Sequence, residues 1–371
     1  HKVLSKFKKS VLYTNWFVDK KIINPNNEFF KKQAVIIANH TSFLDILAIG
    51  MLHPKLVFLV NDWVYNSPVF GKAVKLAGFY PVSSGIENGV SHLQKKVNQG
   101  YSLIAFPEGT RSTTNKVKRF HKGAFYLAEQ FKLDIVPVVI HGNSEVLPKG
   151  SFVIKNGSIT LKVLDRIPFN SKKYGENYSV KTRKIGAYFR AELDKLRTEI
   201  EHKNYFHNLV LQEYRYKGNL LFKTVKKDLN SNSKLYKTIL DTLPSKSKII
   251  HSSKDYGQLD FLLVLDRPER TINTHIQDSE VSKIVAHSFI TNYDYKINVC
   301  NTVKDLIVTT SDIAIINNED LKAEEILEIS KKVSMFFLLK KSVKQYQQTI
   351  INLGFTVNKS NTDLIILNKN K

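Results

Sequence analysis

Short apolar runs and helical stretches alternate along most of this chain. From residue 33 the pattern predicts strands over 34–38, 56–60, 79–82, 102–106, 134–140 and 158–164. Between them it predicts helices starting at Asp45, over 69–76, over 90–98 and over 123–131. The longest apolar runs, such as Ile135 to Ile140, have strand length. Such alternation predicts an α/β fold, a mixed sheet covered by helices. A charged helix is expected over 181–202, followed by a polar, aromatic and basic stretch and a second alternation from residue 248. In that second part, strands are expected at 249–250, 261–265, 297–299, 312–316, 335–339, 354–357 and 364–367.

Residues 1–17 place Leu4, Phe7 and Val11 at helical spacing, with Lys2, Lys6, Lys8 and Lys9 around them and Trp16 and Phe17 at the end. This segment reads either as an interfacial anchor or as an ordinary surface helix packed on its domain. The expected organisation is an amphipathic helical segment over 1–30, an α/β domain over 31–215, a helical connector over 216–247 and a second α/β domain over 248–371. At 371 residues, two domains are the natural division. The chain opens at His1, as a segment of a longer polypeptide would.

Composition narrows the partners. The formal net charge is +23, and residues 1–200 hold 31 of the 56 basic but only 14 of the 33 acidic residues. An excess of this size suits an anionic membrane leaflet, an acidic carrier protein, a phosphorylated substrate or nucleic acid. The basic residues are dispersed, and no helix-turn-helix, zinc-finger or RNA-binding signature accompanies them, so nucleic acid is not the expected partner. Cys300 is the single cysteine; it excludes an intrachain disulfide and a thiolate metal cluster, suits a reducing compartment, and reads as a small core residue. No apolar run reaches the roughly 18 to 20 residues of a spanning helix.

Candidate chemistry follows two of the predicted strands. After Val35-Ile36-Ile37-Ala38 comes Asn39-His40-Thr41-Ser42-Phe43-Leu44-Asp45. If the chain turns into a helix here, the Asp45 carboxylate can hold one nitrogen of His40 and aim the other, making a positioned base. Such a base contributes ~10²–10⁴ in rate when a hydroxyl must lose its proton as it attacks. Asn39, Thr41 and Ser42 supply short polar groups for the turn. After Ser102-Leu103-Ile104-Ala105 comes Phe106-Pro107-Glu108-Gly109-Thr110-Arg111-Ser112. That loop holds a carboxylate, a permissive glycine, hydroxyls and an arginine, a set suited to gripping a polyol phosphate, with Arg111 as the phosphate ligand.

These two motifs resemble the first and third signatures of the glycerol-3-phosphate and lysophosphatidic acid acyltransferases, Asn-His-x-Ser-x-x-Asp and Phe-Pro-Glu-Gly-Thr-Arg-Ser. The resemblance extends through Gly78-Phe79-Tyr80-Pro81-Val82, Phe120-His121-Lys122-Gly123-Ala124-Phe125 and Val136-Pro137-Val138, and covers about residues 15–200. It implies catalytic roles for His40 and Asp45 and acceptor or phosphate binding by Glu108, Gly109, Thr110 and Arg111. Asn39, Ser42, Pro107, Ser112 and Pro137 would support them, and no metal is implied. It also implies acyl-CoA or acyl carrier protein as donor, a lysophospholipid or related hydroxyl lipid as acceptor, no permanently bound cofactor, and work at the cytoplasmic face of a membrane rich in anionic lipid. The family commonly has an arginine after its second-motif strand, where this chain has Ser83, Ser84 and Gly85. Lys116, Lys118, Arg119 or Lys122 are the available substitutes. This departure leaves open an acceptor without phosphate, and the net charge of +23 leaves open a non-catalytic module binding anionic membranes. His121 reads as structural.

The second part resembles, weakly, a Rossmann-like S-adenosylmethionine-dependent methyltransferase domain. Its expected cofactor turn is His251-Ser252-Ser253-Lys254-Asp255-Tyr256-Gly257, with one glycine, and the acid that should meet a ribose comes late, at Asp278. The expectation is a methyltransferase-like domain without its cofactor.

Overall fold

The computed structural model describes residues 18–370 except 61, 69–70, 77–78, 82–85, 113–115, 149–152, 202–204 and 293–294. The expected helix over 1–17 and residues Gly78 and Val82 to Gly85 lie outside the described residues. The first seven strands are β1 (Val18–Ile23), β2 (Ala34–Ala38), β3 (Leu56–Val60), β4 (Tyr80–Pro81), β5 (Ser102–Ala105), β6 (Asp134–His141) and β7 (Gly157–Val163). They form one sheet in the order β1-β7-β6-β2-β5-β3-β4. The expected helical segment over 1–30 therefore gives way at Val18, where β1 pairs in parallel with β7 along the sheet edge.

β2 lies at the centre, parallel to β5 on one side and to β6 on the other, with Ile37 opposite both Ala105 and Pro137. All five of its residues are buried, so its sequence is a continuous apolar run with no polar alternation. Side chains nonetheless alternate between two layers. Ile36 and Ala38 pack with Leu44, Ala48 and Ile49 of the helix Leu44–Gly50. Val35 and Ile37 pack with Phe125 and Leu127 of the helix Gly123–Gln130 and with Ile185 and Phe189 of the helix Tyr178–Ile200. Because β2, β5 and β6 are parallel neighbours, the loops leaving their C-terminal ends emerge side by side.

At the opposite end of β2 and β6, an ion cluster fixes how the chain enters the sheet. Arg166 grips Glu28 with two bonds, Nε to Oε2 at 2.7 Å and Nη2 to Oε1 at 3.0 Å, and reaches Asp134 Oδ2 at 3.2 Å. Lys32 Nζ donates to the same Asp134 oxygen at 2.8 Å. The hydrogen bond from Arg166 holds Glu28 below its ordinary value. Burial raises Asp134, but Lys32, the Phe169 N–H and Arg166 outweigh it and leave that carboxyl lowered too.

The chain divides between Ile200 and Glu201, not near residue 215. The helices Tyr205–Tyr214, Asn219–Ser231 and Ser233–Thr242 are not a connector. Their Val210, Tyr214, Val225, Leu229, Tyr236 and Ile239 share one core with Ile249, Leu259 and Ile272. The second sheet comprises β8 (Lys248–Ser253), β9 (Thr271–Ile276), β10 (Lys296–Val299), β11 (Ile313–Asn317), β12 (Met335–Leu339), β13 (Phe355–Ser360) and β14 (Leu364–Lys369). Its order is β10-β9-β8-β11-β12-β14-β13, with β14 antiparallel to both neighbours. This is a Rossmann-type arrangement whose strand order reverses between β8 and β11. Residues 261–265, expected as a strand, belong to the helix Gln258–Asp266. Every residue from Gln258 to Leu265 is buried, so no polar face exposes the helical period.

Glu28 and Asp134 stabilise the fold above their ordinary values of 4.5 and 3.8, and that contribution is lost as pH falls toward their lowered ones. Arg166→Ala is expected to cost about 2 kcal/mol at neutral pH, less than a fully buried pair because these groups are partly solvated. Urea titrations at several pH values check this; the gap between wild type and variant should close as the carboxyls protonate in acid.

Candidate active site

His40 leaves the end of β2 and Asp45 opens the helix Leu44–Gly50. Nδ1 of His40 lies 2.8 Å from Asp45 Oδ2. The same oxygen accepts the Thr41 N–H at 2.6 Å and the Ser42 N–H at 2.8 Å, and Oδ1 accepts Asn143 Nδ2 at 2.6 Å. Asp45 is wholly buried, whereas His40 is 17% exposed. Four donors fix this buried carboxylate in place, and its bond to Nδ1 leaves Nε2 of His40 as the outward nitrogen. The ring is also stacked on Phe106 of the β5 loop, with centroids 4.1 Å apart and planes at 16°.

The flanking polar residues build the frame. Asn39 extends the β2–β6 pairing by one side chain, donating to Ile140 O and accepting the Ile140 N–H, each at 2.8 Å. Ser42 Oγ donates to Leu147 O at 2.7 Å. His40 O accepts the Ser112 N–H at 2.6 Å, which draws the far end of the β5 loop onto the histidine turn. Ser112 Oγ in turn donates to Lys116 O, and Pro107 O accepts the His121 N–H at 2.7 Å.

Glu108 is turned onto the backbone. It is buried, and both carboxylate oxygens are occupied by backbone: Oε1 accepts the His40 N–H and Oε2 the Lys118 N–H, each at 2.8 Å. Burial pushes its carboxyl up to about 7 against the pull of those two donors. Glu108 therefore ties the β5 loop to the histidine turn. Gly109 has φ +73°, and a Cβ there would stand 3.1 Å from the His121 ring, which makes His121 the wall that keeps this position bare.

Arg111 is stacked on an aromatic ring. Its guanidinium sits 4.3 Å above the Phe43 ring and makes no ion pair among the described residues. Stacking holds its plane while its N–H donors stay available. Thr110 is exposed, and Lys118 Nζ stands 3.3 Å from its hydroxyl and 3.4 Å from Arg111 O. Of the substitute cations, Lys118 is the one joined to Thr110 and Arg111; Lys116, Arg119 and Lys122 are exposed on the same loop. Pro137 lies within β6 opposite Ile37, well inside the sheet.

Asn143 is the residue the sequence motifs do not contain. It follows Gly142, whose φ of +88° and position 1.9 Å from Ser158 O for any Cβ leave room for glycine alone. The signal in the chain is indirect: a polar residue just after a long apolar strand that neighbours β2.

Residues 18–141 match the family model described as Acyltransferase. A 1-acyl-sn-glycerol-3-phosphate acyltransferase of Cocos nucifera is 34% identical over 158 residues, 41% of this chain and 51% of that protein. The enzyme of that name from Saccharomyces cerevisiae is 31% identical over 161 residues, 40% of this chain and 52% of its own length. The chain thus spans about half the length of the curated relatives it matches. Among solved structures, the 1-acyl-sn-glycerophosphate acyltransferase PlsC from Thermotoga maritima aligns over 53% of this chain and 79% of its own, at 22% identity and a TM-score of 0.45. TrmK of M. capricolum, solved with S-adenosyl-homocysteine, aligns over 37% of this chain and 68% of its own, at 18% identity and a TM-score of 0.29.

In the second unit, the crevice at the β8–β11 reversal is where a Rossmann-type sheet holds its ligand, and here its own side chains meet one another. Ser252 and Ser253 are fully buried, and Ser253 Oγ accepts the Asp255 N–H. The Asp255 carboxylate turns onto Asn317 Nδ2 at 2.5 Å and lies 3.8 Å from Lys340 Nζ. Asp278 accepts the N–H groups of Glu280 and Val281, capping the helix Ser279–Ala286. Beneath these, His251 Nδ1 and Asp260 Oδ1 pair at 2.7 Å, both wholly buried. Burial lowers the His251 ring, but Asp260 outweighs it and leaves it raised.

Asn143→Ala would leave one buried oxygen of Asp45 without a donor. The expected loss of stability is about 1–3 kcal/mol, read as a lower denaturation midpoint with an unchanged m-value. A midpoint equal to wild type would mean that Asn143 does not hold the carboxylate.

Proposed function

We propose that the first unit transfers an acyl group from an acyl-CoA or acyl carrier protein thioester to the hydroxyl of a lysophosphatidic acid or a related lysophospholipid. The observation that carries the reading is the His40–Asp45 pair, fixed at 2.8 Å with one ring nitrogen left to face a substrate. Nε2 of His40 takes the acceptor's hydroxyl proton as that oxygen attacks the thioester carbon. The carbon–sulfur bond then breaks, and the departing sulfur takes the proton back from the imidazolium. No covalent bond to the protein is needed, and Asp45 stabilises the transient charge on the ring without itself accepting the proton.

Arg111, steadied on Phe43, and Lys118, beside Thr110, are the groups to which we assign the acceptor phosphate. Arg111 offers paired donors that match two phosphate oxygens. Glu108 supports the reaction from behind, by holding the His40 backbone. The acceptor and the charge of the chain favour work on the cytoplasmic surface of a membrane containing anionic lipid; among the described residues no helix is long and apolar enough to cross one. In the same reading, the second unit is a scaffold without an adenosyl cofactor. The support is chemical: its turn keeps only Gly257 where several bare backbone positions are needed, and Asp278 caps the following helix.

Radiolabelled acyl transfer, from acyl-CoA and from acyl carrier protein to lysophosphatidic acid and to neutral hydroxyl lipids, tests this. Wild type should label lysophosphatidic acid, and His40→Ala should lose at least the ~10²–10⁴ of a general base while melting like wild type. Arg111→Ala should raise KM for the phosphate acceptor more than it lowers kcat. Substantial turnover by His40→Ala would sink the assignment.

A further inference from the structure

The corner between the helices Tyr205–Tyr214 and Asn219–Ser231 is unlike the rest of the second unit's surface. Tyr216 is 88% exposed and Leu220 81% exposed, two large apolar side chains standing free four residues apart. Around them, Arg215, Lys217, Lys223, Lys226 and Lys227 are all exposed, and none makes an ion pair among the described residues. No acid lies between residues 215 and 227.

The two nearest acids are turned inward. Glu213 Oε2 accepts the Phe289 N–H at 2.7 Å. Asp228 is held by Asn232 Nδ2 at 2.6 Å, Gln258 Nε2 at 2.7 Å and the Tyr236 hydroxyl, with Lys340 Nζ 3.4 Å away. The outward face of the helix therefore keeps its positive charge undiluted. Helical geometry puts Leu220, Lys223, Lys226 and Lys227 on one side, while Val225 and Leu229 on the other pack into the core.

We propose that this corner is a docking surface for an anionic lipid bilayer. Tyr216 and Leu220 enter the interface, and the five cations lie against the headgroups. The chemistry of the corner favours a bilayer over a protein groove or a nucleic acid. Tyr216 and Leu220 stand exposed on either side of Gly218, the residue that caps the second helix. An aromatic and an aliphatic tip ringed by lysines is the composition that partitions into a headgroup layer, where apolar insertion and attraction to anionic lipid add. The surface belongs to the second unit and shares no residue with the acyl-transfer site, so this inference and the acyltransferase reading can fail separately.

The test uses the whole chain carrying Leu220→Cys labelled with an environment-sensitive dye; the native Cys300 is buried. The probes are vesicles of phosphatidylcholine alone and vesicles that also contain phosphatidylglycerol. The dye should shift to the blue only with the anionic vesicles, and added salt should reverse the shift. In co-sedimentation, Lys223→Ser with Lys227→Ser, and separately Tyr216→Ser with Leu220→Ser, should each raise the lipid needed for half-binding on the order of tenfold. Both pairs lie at the surface, and unchanged melting curves would show the fold is kept. Equal vesicle binding by wild type and both variants would overturn the proposal. So would a dye that ignores vesicles, whether or not it responds to short DNA duplexes or to an acidic carrier protein. Vesicle binding through this corner by a chain that transfers no acyl group would count against the enzymatic reading alone.

Discussion

One buried carboxylate organises the first unit. Asp45 sits where solvation is lost entirely, and an isolated charge there would carry a prohibitive cost. Four donors remove that cost: the His40 ring, the Thr41 and Ser42 N–H groups and the Asn143 amide. The donors come from the end of β2, the start of the following helix, and the turn after β6. They meet only because β2 and β6 are parallel neighbours in register. The sheet order is thus the condition for a fixed histidine, and the histidine is the condition for the chemistry.

The β5 loop is built to the same logic from the other side. Glu108 is satisfied by two backbone N–H groups, and Ser112 reaches back to His40. What remains available on that loop is cationic: Arg111, held flat on Phe43, with Lys118 close by. The carboxylate secures the base and the cations face outward, a division of labour that the bare composition of the loop conceals.

Much of this was legible in the chain. The central strands read correctly because full burial on both faces leaves uninterrupted apolar runs such as Val35-Ile36-Ile37, and the two motifs stand out in the chain because they sit directly after such runs. Residues 261–265 misled for the same reason: a helix buried on every side shows no period, and its apolar run is indistinguishable from a central strand. The 216–247 segment looked like a connector because its exposed face is so polar, while the few residues that dock it, Val225, Leu229, Tyr236 and Ile239, are widely spaced. Asn143 was hidden because its partner lies far away in sequence, and the bonds of Glu108 to the backbone were hidden because a motif names residues without saying which way they point.

The central claim is that Asp45 fixes the tautomer of His40, and nitrogen-15 NMR of histidine-labelled protein reads this directly. The account predicts that, above the ring's titration, His40 carries its proton on Nδ1, with a proton resonance shifted strongly downfield by the bond to Asp45, and that Nε2 is bare and able to accept a proton. Asp45→Asn should abolish the downfield resonance. A His40 protonated on Nε2 in the wild type, or a tautomer mixture indifferent to Asp45, would contradict it.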